Sequence, residues 1–405
     1  MRAAHRTTLT AAAVALVAAL CASCAASAPT PSASSSASAS ASPSPAPTPS
    51  PSADAQARAA EAVAAMSVRE RAASVVMGHV PTTDTEVLHD YMASTGIGGF
   101  ILMGANIPAD EAALRALTSS LTVDPARPPL IAVDQEGGDV ARIPWDSYPA
   151  PYELQTAEPA ATQAAYAGRA ALLRSAGVTV NFGIVADVTA DSGSFLRRRI
   201  LGTTPDAAAS RVVAAVDGEE GTVFSTIKHF PGHGAAPGDS HAVIPSTPLT
   251  LDQWRAADAL PFRAGIEAGA PLLMFGHLAY TSVDAAPASL SPEWHRIARE
   301  ELGFRGVAVT DDLGMLESSG VPAYADPVRN AVAALVAGND MVLTVIHSTP
   351  DTAPRVVDGI VAAVESGELA DERLTEAATR VMALRLGLAE AGDGPLPCPT
   401  CTAGG

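Results

Sequence analysis

The sequence predicts a single catalytic domain of the α/β class, built as a (β/α)8 barrel of the TIM type. Three observations lead to this prediction. Short apolar runs recur eight times, stretches with apolar residues at three- and four-residue spacing lie between them, and polar residues follow the ends of several runs. A doubly wound open sheet is the alternative that the same alternation permits.

The eight apolar runs are continuous rather than alternating, which is typical of strands in a buried parallel sheet. In chain order they read SVVMGH, GGFILMG, LIAVDQ, VNFGIVADV, STIKHF, LLMFGH, GVAVTDD and DMVLTVIH. Helical periodicity appears in PAATQAAYAGRAALLRSAG, PDAAASRVVAAVDGEE, SPEWHRIAREELG and ADPVRNAVAALVAG, and several of these stretches close on glycine, the usual residue just past a helix end. Residues 55–392 therefore hold enough strand and helix pairs for the barrel.

Polar side chains sit at the C-terminal ends of five of these strands. They are Asp134, Asp187, Lys228 with His229, His277 and Asp311. Enzymes with this barrel place their catalytic groups on that face. One such residue is easily structural, whereas five on one rim predict a shared pocket.

The N-terminus indicates export. Arg2 and Arg6 precede an apolar run over residues 9–20, which is too short to span a bilayer but suits a signal peptide. The small residues before Cys24 resemble a bacterial lipoprotein cleavage site, so we expect a signal peptide over 1–23 and lipidation of Cys24. Lipidation of Cys21 and ordinary secretory cleavage are the alternatives. The expected product is an extracytoplasmic protein held on the cell membrane by its lipid.

Residues 24–54 are almost entirely Ala, Ser, Pro and Thr, a composition that predicts a disordered tether. The C-terminal tail, residues 393–405, carries Cys398 and Cys401, which form either a local disulfide or part of a frayed end. The formal net charge of −18 argues against nucleic acid as a partner. We expect a monomer.

The stretch KHFPGHGAAPGDSH, residues 228–241, concentrates histidine among glycines and admits three interpretations. A phosphate cradle fails because GHGAAPG is one residue too long for G-x-G-x-x-G. A zinc site would use His229, His233, Asp239 and His241, but the glycines and Pro231 leave no preorganised helix face. An acid–base loop needs only Asp239 to orient His241, with both side chains on one side if the DSH segment is extended.

A carboxylate partner for this loop is available at the end of the seventh strand. Asp311 can act as a nucleophile or stabilise positive charge, whereas Asp312 should point elsewhere and serve the structure. A carboxylate and an acid on opposite sides of a pocket are the minimal set for retaining glycoside hydrolysis.

Four segments resemble glycoside hydrolase family 3, and within it the single-barrel β-N-acetylglucosaminidases of the NagZ type. They are AVDQEGGDVARI, KHFPGHG with DSH, PASLSPEWHRIAREELGFRGVAVTDDLGM and AGNDMVL. The resemblance covers about residues 60 to 345. It implies a retaining exo-β-N-acetylglucosaminidase that needs no metal or organic cofactor and acts on GlcNAc-containing fragments of peptidoglycan.

The resemblance also implies roles for individual residues. Asp311 would be the nucleophile, and His241 with Asp239 the acid–base pair. The sugar hydroxyls would be bound by Asp134, Arg142, Arg199, Lys228 and His229. The family usually has GGRV where this chain has GGDV, so Asp139 replaces an arginine near the pocket mouth. Because that change removes a positive charge, the binding of anionic extensions of the substrate is not implied by the resemblance.

Two other functions remain open from the sequence. A family 3 β-glucosidase of other specificity is the nearest, although many of those carry their acid–base residue on a second domain that has no counterpart here. A sugar-binding lipoprotein without catalysis is the other, and the presence of Asp311, Asp239 and His241 argues against it.

Overall fold

The computed structural model describes residues 53–390. Eight parallel strands close into a barrel in which every strand pairs with its neighbours in sequence, and the first pairs with the last. Their bounds are β1 Val76–Gly78, β2 Gly99–Leu102, β3 Leu130–Val133, β4 Val180–Val185, β5 Phe224–Phe230, β6 Leu272–Phe275, β7 Val307–Asp312 and β8 Met341–Leu343. The predicted (β/α)8 barrel is therefore confirmed, and the open sheet is excluded.

Helices surround the barrel and occupy the four stretches in which the sequence shows helical periodicity. The α-helices of residues 53–390 are α1 Ala53–Ala64, α2 Val68–Ser74, α3 Thr85–Thr95, α4 Glu111–Ser120, α5 Pro151–Leu154, α6 Pro159–Ser175, α7 Pro205–Glu219, α8 Leu251–Ala256, α9 Ala259–Glu267, α10 Pro292–Arg296, α11 Gly314–Ser318, α12 Pro327–Ala337, α13 Thr352–Ser366 and α14 Asp371–Glu390. Helix α10 continues as a π-helical segment over Ile297–Glu301. Two short ribbons pair Gln135–Gly137 with Val140–Ala141 and Ser246–Thr247 with Ala279–Tyr280.

Local sequence explains where several helices begin and end. Ser67 and Glu70 form a capping box at the start of α2, and the Thr204 side chain accepts from the backbone N–H of Ala207 at the start of α7. Gly96 ends α3 with φ 64° and Gly367 ends α13 with φ 80°, a left-handed conformation that glycine adopts without a steric penalty.

The barrel interior is an apolar core that is closed at one end by α14. Val381, Leu384 and Leu388 of this helix pack with strand side chains such as Phe182 and Met274. This packing fills the end of the barrel at which the strands begin. The opposite end, where the strands finish, is left for the polar residues of the site.

An ion cluster reinforces the closed end. The Asp340 carboxylate is fully buried and lies 2.5, 2.6 and 2.9 Å from the guanidinium groups of Arg299, Arg373 and Arg380. Burial alone would raise the pKa of Asp340, but the three guanidinium groups outweigh it and lower that pKa to about 2. Asp340 therefore remains ionised and ties α14 to the segment that precedes β8.

Helix α1 packs along α14, and Arg58 lies 2.6 Å from Glu390. Ala55 shares a small apolar cavity with Phe224 and Pro271, which stand at the beginnings of β5 and β6. Both ends of the described chain therefore lie at the closed end of the barrel.

Several sequence predictions fall outside the described residues. These are the signal peptide with Cys24, nearly all of the tether, and the tail with Cys398 and Cys401. Within residues 53–390, every helix is too short or too polar to cross a membrane.

Candidate active site

A cavity of about 290 Å³ opens at the end of the barrel where the strands finish. Seven of the eight catalytic and sugar-binding residues predicted from the sequence line it. They are Asp134, Arg142, Arg199, Lys228, His229, His241 and Asp311. The eighth, Asp239, lies directly behind His241, with which it forms a hydrogen bond.

Two residues of the predicted rim lie one layer farther back. Asp187 is fully buried and accepts a hydrogen bond from the ring of His229. His277 is also buried, with Nδ1 2.7 Å from the Ser289 hydroxyl and Nε2 2.8 Å from the Asp312 carbonyl oxygen. The pocket is shared as predicted, but these two side chains support its wall rather than form it.

One side of the cavity is a network of opposite charges. The Lys228 ammonium lies 2.9 Å from Asp134 Oδ1 and 2.8 Å from Glu136 Oε1. Arg199 donates two hydrogen bonds of 2.9 and 2.7 Å to Glu136, and Arg142 donates one of 3.3 Å to Asp134. The network holds three cations in place and leaves part of the Asp134 carboxylate exposed to the cavity.

The network keeps its members ionised. Burial alone would raise the pKa of Asp134, but the charges of Lys228 and Arg142 lower it to about 2. Burial likewise opposes the ionisation of Glu136, yet Lys228 and Arg199 hold its pKa below the usual value. Fixed charges of both signs therefore face the cavity and need no rearrangement to meet a polar ligand.

His229 is held by a buried carboxylate. Its Nδ1 atom lies 2.7 Å from Asp187 Oδ2, and the other oxygen of Asp187 accepts the backbone N–H of His233 at 2.6 Å. Burial lowers the pKa of His229 well below its ordinary value, although Asp311 opposes this shift. The imidazole is therefore neutral, and its Nε2 atom is available as an acceptor.

Asp311 stands at the end of β7 and accepts the backbone N–H of Asp312 at 2.8 Å. Burial opposes its ionisation, but His229, His277 and this N–H together lower the pKa of Asp311. The carboxylate is thus charged and faces the cavity at neutral pH.

Asp312 points away from Asp311, as the sequence predicts. Its two oxygens accept the backbone N–H groups of Gly314, Val345 and Ile346 at 3.0, 2.8 and 2.8 Å. It fastens the loop that follows β8 to the end of β7, so its role is structural.

The Asp239–His241 pair forms, but through a different backbone geometry from the one predicted. The segment is a turn rather than extended: the Asp239 carbonyl accepts the backbone N–H of Ala242 and of Val243. Asp239 Oδ1 accepts the backbone N–H of His241 at 3.0 Å and lies 2.6 Å from its Nδ1. An aspartate that bonds to the backbone two residues later is the ordinary Asx turn, and it places the imidazole beside its own carboxylate.

Both members of this pair are about half exposed, in contrast to the buried network. Partial burial would raise the pKa of Asp239, but the hydrogen bonds from His241 lower it. The carboxylate is therefore charged, so His241 Nδ1 carries the proton of their hydrogen bond and Nε2 is the atom that can exchange one with a ligand.

Sequence reasoning missed two residues of the cavity, the fully buried Glu136 and the partly buried Phe195. Glu136 occurs two positions after Asp134, in a ribbon where alternate residues share a face, and that spacing could have identified it. The Phe195 ring packs edge-on against the rings of His233 and His241. Nothing in the sequence around Phe195 distinguishes it.

The sequence offers His233 as a zinc ligand, an interpretation that the glycine-rich loop disfavours. It is 1% exposed, lines the cavity, and has no hydrogen-bond partner for either ring nitrogen among residues 53–390. A buried imidazole of this kind is available to a ligand. In the same part of the chain, no group of three or more His, Cys, Asp or Glu side chains is arranged to hold a metal ion.

Asp139 stands at the rim, next to Val140 of the cavity wall. It pairs with Arg198 through contacts of 2.7 and 3.1 Å, and the Arg198 guanidinium lies 4.1 Å above the Tyr152 ring. The acidic side chain therefore neutralises the arginine that precedes Arg199.

Known proteins resemble this chain in sequence. Residues 67–384 match the model of the glycosyl hydrolase family 3 N-terminal domain. A β-hexosaminidase of Stenotrophomonas maltophilia is 34% identical over 300 residues, which cover 70% of this chain and 87% of that relative.

Two solved structures also resemble this chain in fold. A family 3 β-N-acetylglucosaminidase from Paenibacillus has a TM-score of 0.76 at 28% identity, covering 84% of this chain and 66% of the longer protein. A β-N-acetylhexosaminidase from Beutenbergia cavernae has a TM-score of 0.69 at 29% identity, covering 79% of this chain and 98% of that one. The closed barrel, the cavity and the match over residues 67–384 together establish that the chain belongs to glycoside hydrolase family 3.

Proposed function

We propose that this protein is a retaining exo-β-N-acetylglucosaminidase that releases terminal GlcNAc from fragments derived from peptidoglycan. One observation is central to the proposal. An ionised carboxylate at a strand end, Asp311, and an imidazole–carboxylate pair, His241 with Asp239, serve the same cavity. The names of the relatives support GlcNAc as the sugar that is released.

The first step would form a glycosyl-enzyme. Asp311 attacks the anomeric carbon and forms the ester bond, while His241 Nε2 gives its proton to the glycosidic oxygen as the bond to the leaving group breaks. The charge of Asp311 suits attack on an electron-poor carbon, and Asp239 stabilises the imidazolium before it transfers its proton.

The second step would reverse these roles. The neutral His241 takes a proton from water as the water oxygen bonds to the anomeric carbon, and Asp311 leaves as a carboxylate. The product retains the β configuration, and the enzyme returns to its starting charge.

The charged network would fix the sugar during both steps. Asp134 can accept hydrogen bonds from hydroxyls, and Arg142, Arg199 and Lys228 can donate them, while His229 Nε2 offers a neutral acceptor beside Asp311. Because these groups are held by one another before substrate arrives, little reorganisation is needed on binding.

The decisive experiment combines an aryl β-glycoside panel with a covalent trap. Purified protein should cleave nitrophenyl β-GlcNAc in preference to the Glc, Xyl and GalNAc glycosides. A 5-fluoro glycosyl reagent should label the peptide that contains Asp311, as read by mass spectrometry. In the substrate panel, a preference for the glucoside would favour a β-glucosidase, and no turnover of any glycoside would favour a sugar-binding lipoprotein. In the trapping experiment, a label on another peptide would exclude Asp311 as the nucleophile.

We further propose that the enzyme is exported and anchored through a lipid on Cys24. The basis is the sequence alone: an apolar run of signal-peptide length and small residues before the cysteine. In fractionated cells, Cys24→Ala should move the protein from the membrane to the soluble fraction and Cys21→Ala should not. The reverse pattern would place the lipid on Cys21.

A further inference from the structure

Strand β7 contains a bulge where it pairs with β8. The pairs across these two strands are Val309 with Met341 and then Asp312 with Leu343. Three steps along β7 therefore match two along β8, and the extra residue lies in the segment 310–311. A bulge bends its strand and changes the direction of the side chains in it. The proposed nucleophile stands in this bulge, so the bulge sets the direction in which its carboxylate points.

A buried hydroxyl holds the bulge on the side of β8. Thr310 is fully buried, and its side-chain oxygen accepts the backbone N–H of Leu343 at 3.0 Å. This hydrogen bond joins the two strands at the point where their register breaks. Thr310 is not among the residues that line the cavity, so it acts on Asp311, its neighbour in the chain, through the backbone.

A buried histidine holds the end of the bulge on the side of β6. His277 is 1% exposed, and its Nε2 atom lies 2.8 Å from the Asp312 carbonyl oxygen. Burial lowers the pKa of His277, so the ring is neutral and carries one proton. Because a carbonyl oxygen can only accept, that proton is on Nε2, and Nδ1 accepts the Ser289 hydroxyl at 2.7 Å. Both ring nitrogens are therefore used to fix the backbone beside the nucleophile.

The residue that His277 holds also contacts the nucleophile. Asp312 donates its backbone N–H to Asp311 Oδ1 at 2.8 Å, and its own carboxylate accepts N–H groups of the loop after β8. A shift of the Asp312 backbone would therefore move a hydrogen-bond donor away from the Asp311 carboxylate. Displacement of a reacting group by about 1 Å can lower a rate about a hundredfold, so these backbone contacts affect the rate of attack.

We propose that Thr310 and His277 are positioning residues, which hold the bulge of β7 and thereby aim the Asp311 carboxylate at the anomeric carbon. This proposal rests on the proposed function, in which Asp311 is the nucleophile. It adds two side chains that lie outside the cavity lining and act from opposite sides of the strand, the Thr310 hydroxyl from β8 and the His277 ring from β6.

Two pairs of variants test these roles. Thr310→Val keeps the shape of the side chain and removes the acceptor for the Leu343 N–H, whereas Thr310→Ser keeps the hydroxyl. His277→Leu removes the donor to the Asp312 carbonyl, whereas His277→Gln offers a side-chain N–H in place of Nε2–H. Thr226→Val is the matched control, because Thr226 is a fully buried threonine of β5 whose hydroxyl has no hydrogen-bond partner among residues 53–390.

The steady-state constants should show a loss confined to the transition state. Thr310→Val and His277→Leu should lower kcat and kcat/KM together, about ten- to hundredfold, and leave KM unchanged. The loss should appear with both nitrophenyl β-GlcNAc and a GlcNAc-terminated disaccharide, because both substrates need the attack of Asp311. Thr310→Ser and His277→Gln should stay within about threefold of wild type, since each keeps the hydrogen bond. The Thr226 control should match wild type.

Labelling by the 5-fluoro glycosyl reagent separates misaligned enzyme from misfolded enzyme. Slow labelling of Thr310→Val and His277→Leu that goes to completion supports the proposal, because every molecule is folded but reacts poorly. Labelling at the wild-type rate that stops short of completion would show that only a folded fraction is active, and would overturn the proposal. A wild-type kcat in either variant, or an equal loss in both members of a pair, would overturn the role of that residue. If the wild-type enzyme has no turnover or is labelled away from Asp311, the proposed function fails and the positioning roles fail with it.

Discussion

Lys228→Met tests whether the charged network of the cavity stabilises the fold as well as the substrate. The Lys228 side chain is 3% exposed and touches two carboxylates, of which Glu136 is fully buried. Removing one partner of a buried ion pair costs about 3–5 kcal/mol in the free energy of unfolding. Because Arg199 and Arg142 still pair with these carboxylates, we expect the lower end, about 3 kcal/mol.

Urea denaturation at pH 7 measures the loss, and Arg69→Ala provides the control. Arg69 pairs with Asp358, but both side chains are more than 60% exposed, and such pairs contribute about 0.2–1 kcal/mol. The lysine variant should therefore lose at least about 2 kcal/mol more than the control. Equal losses in the two variants would refute the view that the network is a buried, strongly coupled group. The variant should also bind substrate more weakly, which the KM for nitrophenyl β-GlcNAc will show.

Four further predictions follow from the same structure. Asp311→Asn should lower kcat for the aryl glycoside by at least about three orders of magnitude without loss of folded structure by circular dichroism, and near-normal turnover would exclude it as nucleophile. His241→Ala should slow disaccharide cleavage far more than nitrophenyl glycoside cleavage, because only the poor leaving group of the disaccharide needs a proton. Asp239→Asn should show a milder form of this difference. Equal slowing of both substrates would contradict the acid–base role. Asp340→Asn should destabilise the fold by about 3–5 kcal/mol at pH 7. Because the pKa of Asp340 is lowered to about 2, its contribution to stability is present above the unfolded pKa of about 3.9 and is lost as pH falls towards 2. The denaturation curves of variant and wild type should therefore converge over that pH range, and a constant difference in stability would count against the cluster. Asp139→Arg should lower KM for a substrate with an anionic aglycone relative to a neutral one, and an unchanged ratio would mean that the rim charge does not contact the aglycone.

The barrel could be predicted because each strand of a closed parallel barrel is buried on both faces. That burial leaves a continuous apolar run in the sequence, and eight runs with helices between them have few other solutions. The polar residues at the strand ends were visible for the same reason: Lys228 and Asp311 interrupt patterns that are otherwise apolar.

The remainder of the site depends on contacts between distant segments, which no local pattern records. The spacing from Asp134 could suggest Glu136, but its ion pair with Arg199, 63 positions away, is visible only in the structure. The choice of Arg199 among three consecutive arginines is explained likewise, since Arg198 turns outward to Asp139. The turn at Asp239 differs from the extended segment expected from the sequence, because the His241 N–H donates to Asp239 Oδ1 and closes an Asx turn.

The ends of the described chain give the domain an orientation. Ala55 and Glu390 lie where the strands begin, and the cavity lies where they finish. A segment that joins the domain before residue 53 is therefore attached to the side away from the cavity. Either end of the described chain could therefore be fused to a partner or immobilised on a support without blocking the passage of substrate.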